Sequence, residues 1–147
     1  MFRGRFFHTI DPKGRVSIPA KFRDALESDY SEKRLVIVPN EYCLEVHPMK
    51  EWKEIEAKVR ALPQKDPDVQ KFIRLYISNA QDAALDGQGR IQLPPDYRAR
   101  AGLVKDVVLV GGVRNFEIWN RERWEEYART NEPELPSLFE KISNRGV

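Results

Sequence analysis

Apolar and polar positions alternate into a proline twice along this chain. "RVSIP" (15–19) and "RIQLP" (90–94) both follow this pattern, which has the period of a half-buried β-strand. The offset between them is 75 residues, and it also carries Phe22 onto Tyr97 and Arg23 onto Arg98. Further along, the offset becomes 72. "LVIV" (35–38) then falls on "VVLV" (107–110), Leu44-Glu45-Val46 on Phe116-Glu117-Ile118, and Trp52 on Trp124. The change of three residues is placed in "ESDYSEK" (27–33), read as a polar loop, where length costs little.

Each repeat therefore predicts the same series of elements. A strand enters a turn, a second strand leaves it, and the proline opens a short helix. Two more strands follow, about 34–38 and 43–47 in the first unit and 107–110 and 115–119 in the second. An amphipathic helix closes the unit. In the first unit Trp52, Ile55, Val59 and Leu62 share its apolar face, and Pro63 marks its end. Between the units, Asp66-Pro67 starts a connector helix with Val69, Phe72, Ile73 and Tyr76 at helical spacing. The tail predicts a short helix with Leu135, Leu138, Phe139 and Ile142 on one side.

The turns themselves are "DPKGR" (11–15) and "DGQGR" (86–90). Asp11 and Asp86 suit the first position of a type I turn, and Gly14 and Gly89 the fourth, where positive φ is often needed. Asp and Gly thus have a structural explanation. Arg15 and Arg90 do not, because a tight turn requires no arginine after its glycine. Each either pairs with an aspartate, of its own or the other unit, or is presented to a partner.

The 147 residues suit one ordinary domain or two small ones, with 41% apolar residues for a core. The single cysteine, Cys43, excludes an internal disulfide and is read as a small core residue. His8 and His47 lack metal-ligand spacing, no cofactor motif is present, and the "GG" at 111–112 leads into a hairpin rather than a phosphate-binding helix. An Asp11–Asp86 carboxylate pair is the only enzymatic constellation to consider, and no enzyme is expected. No apolar run could span a bilayer.

Charge changes the picture locally. Arg3, Arg5, Lys13, Arg15, Lys21 and Arg23 outweigh Asp11 and Asp24 within residues 1–25. Around the second motif, residues 76–100, Arg90, Arg98 and Arg100 only balance Asp82, Asp86 and Asp96. A concentrated positive patch points to a polyanion. The candidate DNA-binding residues are Arg3, Lys13, Arg15, Lys21 and Arg23, with Arg15 placed at base edges and Arg5 read as a strand-edge charge. Asp11, Gly14, Asp86, Gly89 and Arg90 are assigned to the turns.

The pair of D-x-x-G-R motifs, with "MFRGRFFHTIDPKGRVSIPAKFR" and "DGQGRIQLP" around them, resembles the MraZ family of bacterial transcriptional regulators. The resemblance extends to about Arg129. The second motif departs by carrying Gln88 where the first has Lys13. The resemblance implies a mixed α+β, strand-dominated fold. Two tandem SpoVT-AbrB-like swapped-hairpin units (1–62 and 80–129) would form a pseudo-dimeric β-barrel within one chain, with flanking helices, a helical connector (63–79) and a C-terminal tail (130–147). It implies double-stranded DNA as partner, at direct repeats in the protein's own promoter. It further implies repression of that promoter and of the division and cell-wall gene cluster, a closed, octamer-like homo-oligomeric ring, and a place in the cytoplasm at the nucleoid. A different class, an oligomeric scaffold without specific DNA readout, would use Trp52, Phe116, Trp119 and Trp124 at subunit contacts.

Overall fold

The computed structural model describes residues 1–147 throughout. Strand β1 (Arg5–Thr9) leads through the first turn into the short β2 (Arg15–Ser17). Pro19 stands at the N-cap of α1 (Ala20–Ala25), whose Phe22 and Ala25 are buried. The stretch read as a polar loop is partly helical instead. It continues α1 as a π-helical turn, Leu26–Tyr30, because Leu26 is drawn into the core, and Ser31 ends it in the left-handed conformation at φ 48°. Most of the first half's extra length is wound into this turn.

Next come β3 (Arg34–Pro39), β4 (Leu44–Pro48) and α2 (Met49–Arg60). Helix α2 stops before Leu62, which is exposed beyond its end rather than on its apolar face. Helix α3 (Pro67–Leu75) starts as expected: the Asp66 side chain accepts from the Asp68 N–H, and Pro67 fills the first position. The second half repeats the series as β5 (Gln81–Ala84), β6 (Arg90–Gln92), α4 (Pro95–Ala101), β7 (Asp106–Gly111), β8 (Phe116–Asn120) and α5 (Arg121–Asn131). A 3₁₀ turn, Glu132–Glu134, then joins α6 (Leu135–Ser143).

The strands form a six-stranded sheet in the order β1-β7-β8-β4-β3-β5 and a separate ribbon of β2 and β6. Exchanging each strand with its counterpart (β1 with β5, β2 with β6, β3 with β7, β4 with β8) reverses the six-strand order and leaves the pairings unchanged. The register obeys the same exchange. Phe7 lies opposite Val108, and their counterparts Asp82 and Val36 lie opposite each other. The internal twofold therefore crosses the sheet between Glu45 and Glu117 and the ribbon between Val16 and Ile91, both directly paired. The first hairpin of each half pairs with strands of the other half, which is the swapped arrangement the resemblance implies. The ladder itself is open, with β1 and β5 as its edges, so it does not show the closed barrel.

Why "LVIV" and "VVLV" are apolar throughout is now evident: both faces of the sheet are covered. Leu35, Ile37, Val107 and Leu109 enter the main core between the sheet, the ribbon and α1 and α4, where Phe22 lies 4.9 Å from Phe116, ring to ring. On the far face Val36 and Val38 pack with Trp52, and Val108 with Cys43 and Trp119. Fully burying one such side chain contributes roughly 1.5–3 kcal/mol. No helix is long and apolar enough to cross a membrane.

Candidate nucleic-acid interface

The ribbon places its residues by alternation. Val16 and Ile91 point into the core at 0% and 1% exposure, so Arg15, Ser17, Arg90 and Gln92 occupy the outer face. Arg15 is opposite Gln92 and Ser17 opposite Arg90, so the two arginines sit diagonally about the twofold.

Both turns have the same internal wiring. Asp11 accepts from the N–H groups of Lys13 and Arg15, each at 2.9 Å, and from Arg15 Nε at 2.7 Å. Asp86 accepts from the N–H groups of Gln88 (2.8 Å) and Arg90 (2.9 Å), and from Arg90 Nε at 2.9 Å. The Gly14 N–H donates to the Asp11 carbonyl and that of Gly89 to the Asp86 carbonyl, closing each turn, with φ at +82° and +73°. The N–H of Arg15 holds the Asp11 carboxyl below its ordinary value, and that of Arg90 does the same for Asp86. Arg15 and Arg90 thus pair with their own aspartates through Nε in matching geometry, and each keeps its terminal nitrogens unengaged by protein. The two carboxylates serve their own arginines rather than one another.

Each turn is also tied to the other half. The Ile18 N–H donates to the Gly89 carbonyl and the Leu93 N–H to the Gly14 carbonyl, both at 2.9 Å. Arg23 Nε donates to the Ile18 carbonyl (3.1 Å) and its side chain crosses Gly89. Arg98 Nε donates to the Leu93 carbonyl (3.2 Å) and its side chain crosses Gly14. Gln92 Nε2 donates to the Lys13 carbonyl at 2.6 Å.

The structure thus brings Lys13, Arg15 and Arg23 to one surface, while Lys21 is exposed in the first turn of α1, two positions before Arg23 and off its face. Arg3 is not brought there. It lies at the other end of β1, about 26 Å of extended chain from Asp11 at about 3.3 Å per residue. Arg5 also faces elsewhere, its guanidinium 4.9 Å above the Trp124 ring. Sequence reasoning missed Arg98, although its match to Arg23 at the 75-residue offset could have found it. Five cations (Lys13, Arg15, Arg23, Arg90, Arg98) stand at the two turns of the ribbon with two carboxylates (Asp11, Asp86). The first turn is the more basic, because Gln88 is the counterpart of Lys13.

The remaining candidate chemistry is absorbed by packing. Cys43 is 1% exposed, and burial pushes its thiol well above the usual range. His47 bonds Glu45 at 2.9 Å. Trp52, Phe116 and Trp119 are buried, and Trp124 is half-buried.

Comparison with known proteins follows the internal repeat. The family described as "MraZ protein, putative antitoxin-like" matches twice, over residues 1–75 and 76–143. A protein of Desulfitobacterium hafniense (strain Y51) named "Transcriptional regulator MraZ" is 43% identical over 147 residues, the whole of both chains. Relatives of the same name from Moorella thermoacetica (44% over 142 residues, 97% of this chain and 96% of the relative) and Syntrophobacter fumaroxidans (39% over 146 residues, 99% and 97%) are similar over nearly their full length.

Proposed function

This chain belongs to the MraZ family of transcriptional regulators, a non-enzymatic family, and from that premise we propose that it binds duplex DNA through the β2–β6 ribbon and its two turns. The observation that carries the reading is the outer ribbon face, where Arg15 and Arg90 stand about the twofold with Arg23 and Arg98 roofing the turns. A two-stranded ribbon fits the major groove, and an arginine whose terminal nitrogens are free can pair with guanine edges. In this reading Arg15 reads a base, Lys13 neutralises phosphates beside it, and Arg23 and Arg98 fix the height of each turn. Arg3 takes no part in the ribbon contact.

The finer reading follows the family resemblance. The protein represses its own promoter and the division and cell-wall gene cluster at direct repeats, works in the cytoplasm at the nucleoid, and assembles into a closed ring. The units 1–62 and 80–129, joined by 63–79, act as one split barrel. Support for that closure is the bridge between Ile10 and Val16, which links the edge strand β1 to the ribbon.

The test is fluorescence anisotropy with DNA from just upstream of the protein's own gene and a scrambled duplex of equal length. The reading expects tighter binding to the upstream DNA by at least about 10³-fold, the low end for specific recognition, and affinity that falls steeply with salt. Equal, weak binding to both would overturn it.

A further inference from the structure

The internal repeat continues beyond the elements already compared. At an offset of 66, Asp66-Pro67-Asp68 falls on Glu132-Pro133-Glu134, and Val69, Phe72, Ile73 and Tyr76 fall on Leu135, Leu138, Phe139 and Ile142. Helix α6 is therefore the counterpart of α3. The two differ in what they cover. At the end of α3, Tyr76 lies 5.7 Å from the Trp52 ring and its hydroxyl donates to Glu45, while Val69 is buried. In α6 the counterparts of Val69, Ile73 and Tyr76 are unpacked: Leu135, Phe139 and Ile142 are 48%, 69% and 39% exposed, and Leu138 stands open at 41%, as Phe72 does on α3 at 44%.

The link explains the difference. Six residues (61–66) separate α2 from α3 and let the chain turn back over the sheet. Only Glu132–Glu134, wound as a 3₁₀ turn, separate α5 from α6, so α6 runs on and cannot reach the surface α3 would occupy.

That surface is itself uncovered. Trp124 is the counterpart of Trp52, and beside it lies an open groove of about 570 Å³ lined by Arg5, Phe7, Trp124, Ala128, Arg129 and Pro133. Phe7 is 54% exposed, with the Arg121 guanidinium 4.8 Å above its ring. The second half thus carries a helix with no surface and a surface with no helix, and the first half shows how the two fit.

We propose that α6 of one molecule docks its Leu135/Leu138/Phe139/Ile142 face into the Phe7–Trp124 groove of a second copy. Charge agrees. Arg5, Arg121 and Arg129 stand around the groove against the carboxylates of Glu125 and Glu132, while the incoming segment carries Glu134 and Glu140 beside Lys141. Helix and groove are different patches of one chain, so the contact is head-to-tail, the kind that closes into a ring when its rotation permits. The inference rests on the self-association reading only in taking a second copy as partner, and it is independent of DNA binding.

Two full-length variants test it by light scattering, with circular dichroism to verify the fold: Phe139→Glu, which removes the helix, and Phe7→Glu, which removes the groove. Each alone is expected to run as the 17.2 kDa subunit. Mixed, they should form a 1:1 dimer and nothing larger, because one retains only a groove and the other only a helix. Should either lose its fold, Phe139→Ser or Phe7→Ser takes its place. Variants that assemble like the wild type would overturn the docking while leaving self-association standing. A dissociated pair that stays monomeric on mixing would overturn it. A monomeric wild type would overturn both.

Discussion

Arg23 lies across Gly89, the glycine of the other half's turn, so closely that a Cβ at Gly89 would stand 2.7 Å from the arginine's Cδ. The twofold repeats the relationship: a Cβ at Gly14 would stand 2.8 Å from the guanidinium carbon of Arg98. The two turns are therefore parts of one structure, each roofed by the half it does not belong to.

Alanine at Gly14 or Gly89 should destabilise the fold twice over, through the positive φ and through displacement of the roofing arginine. The conformational part alone costs roughly 1–2 kcal/mol, which for a chain of this size lowers Tm by about 2–8 °C. Gly87 has open space around it and no positive φ, so Gly87→Ala should stay within about 0.5 kcal/mol of the wild type. Thermal unfolding of the three variants measures this, and indistinguishable melts would refute the interlocked arrangement.

Arg98→Ala should weaken DNA binding even though its own half is the less basic one, because its side chain lies over the first turn. If it also contacts phosphate, the slope of log affinity against log salt should fall by about one unit. Arg3→Ala should leave the slope unchanged, since Arg3 sits at the far end of β1. A larger effect at Arg3 than at Arg98 would place the DNA on a different surface.

The turns should survive mild acid. The Asp11 and Asp86 carboxyls are held low chiefly by the Arg15 and Arg90 N–H groups. A depressed carboxylate gives its full stabilisation above the unfolded value, about 3.9, and loses it as pH falls through the lower folded value. Hydrogen exchange at the Lys13, Arg15, Gln88 and Arg90 amides should thus show turn protection retained between pH 5 and 8 and lost only below about pH 4. Protection that disappears by pH 5 would contradict the assigned hydrogen bonds.

Glu45 anchors α3. Burial alone would raise its carboxyl, but hydrogen bonds from His47, Tyr76 and Asn40 outweigh it and hold the group below its ordinary value. Removing the acceptor leaves buried donors unpaired at about 1–3 kcal/mol. Glu45→Ala should lower Tm more than Glu117→Ala, because the Glu117 side chain accepts from Trp119 Nε1 at 3.0 Å, two residues along its own strand, and ties down no helix. Equal melts would show that the Tyr76 contact does not hold the helix.

Much of this was legible in the sequence because it is local or repeated. The strand runs, the Asp66-Pro67 helix start and the Asp–Gly turns follow from alternation, caps and φ preference, and the 75- and 72-residue offsets announce two similar halves. What could not be read depends on distance through space. Nothing local says that Arg98 lies over Gly14, that β1 is long enough to remove Arg3 from the ribbon, or that Arg5 settles on Trp124. The stretch 27–33 looked like a loop because its polar residues hide the pull of Leu26 on the preceding helix. The sequence did not decide whether Arg15 pairs or stands free. The structure shows one guanidinium doing both, bonded through Nε and open at its terminal nitrogens.

The central claim is that the ribbon face reads DNA. The most direct measurement is the affinity of Arg15→Ala for the upstream DNA and for a scrambled duplex, in protein whose oligomer mass matches the wild type. A lost base contact is worth roughly 1–3 kcal/mol, so the account predicts about a tenfold or greater loss on the upstream DNA and a much smaller one on the scrambled duplex, with Arg90→Ala losing less than Arg15→Ala. Unchanged affinity for the upstream DNA would contradict the claim, and equal losses at Arg15 and Arg90 would show that both turns face the DNA alike.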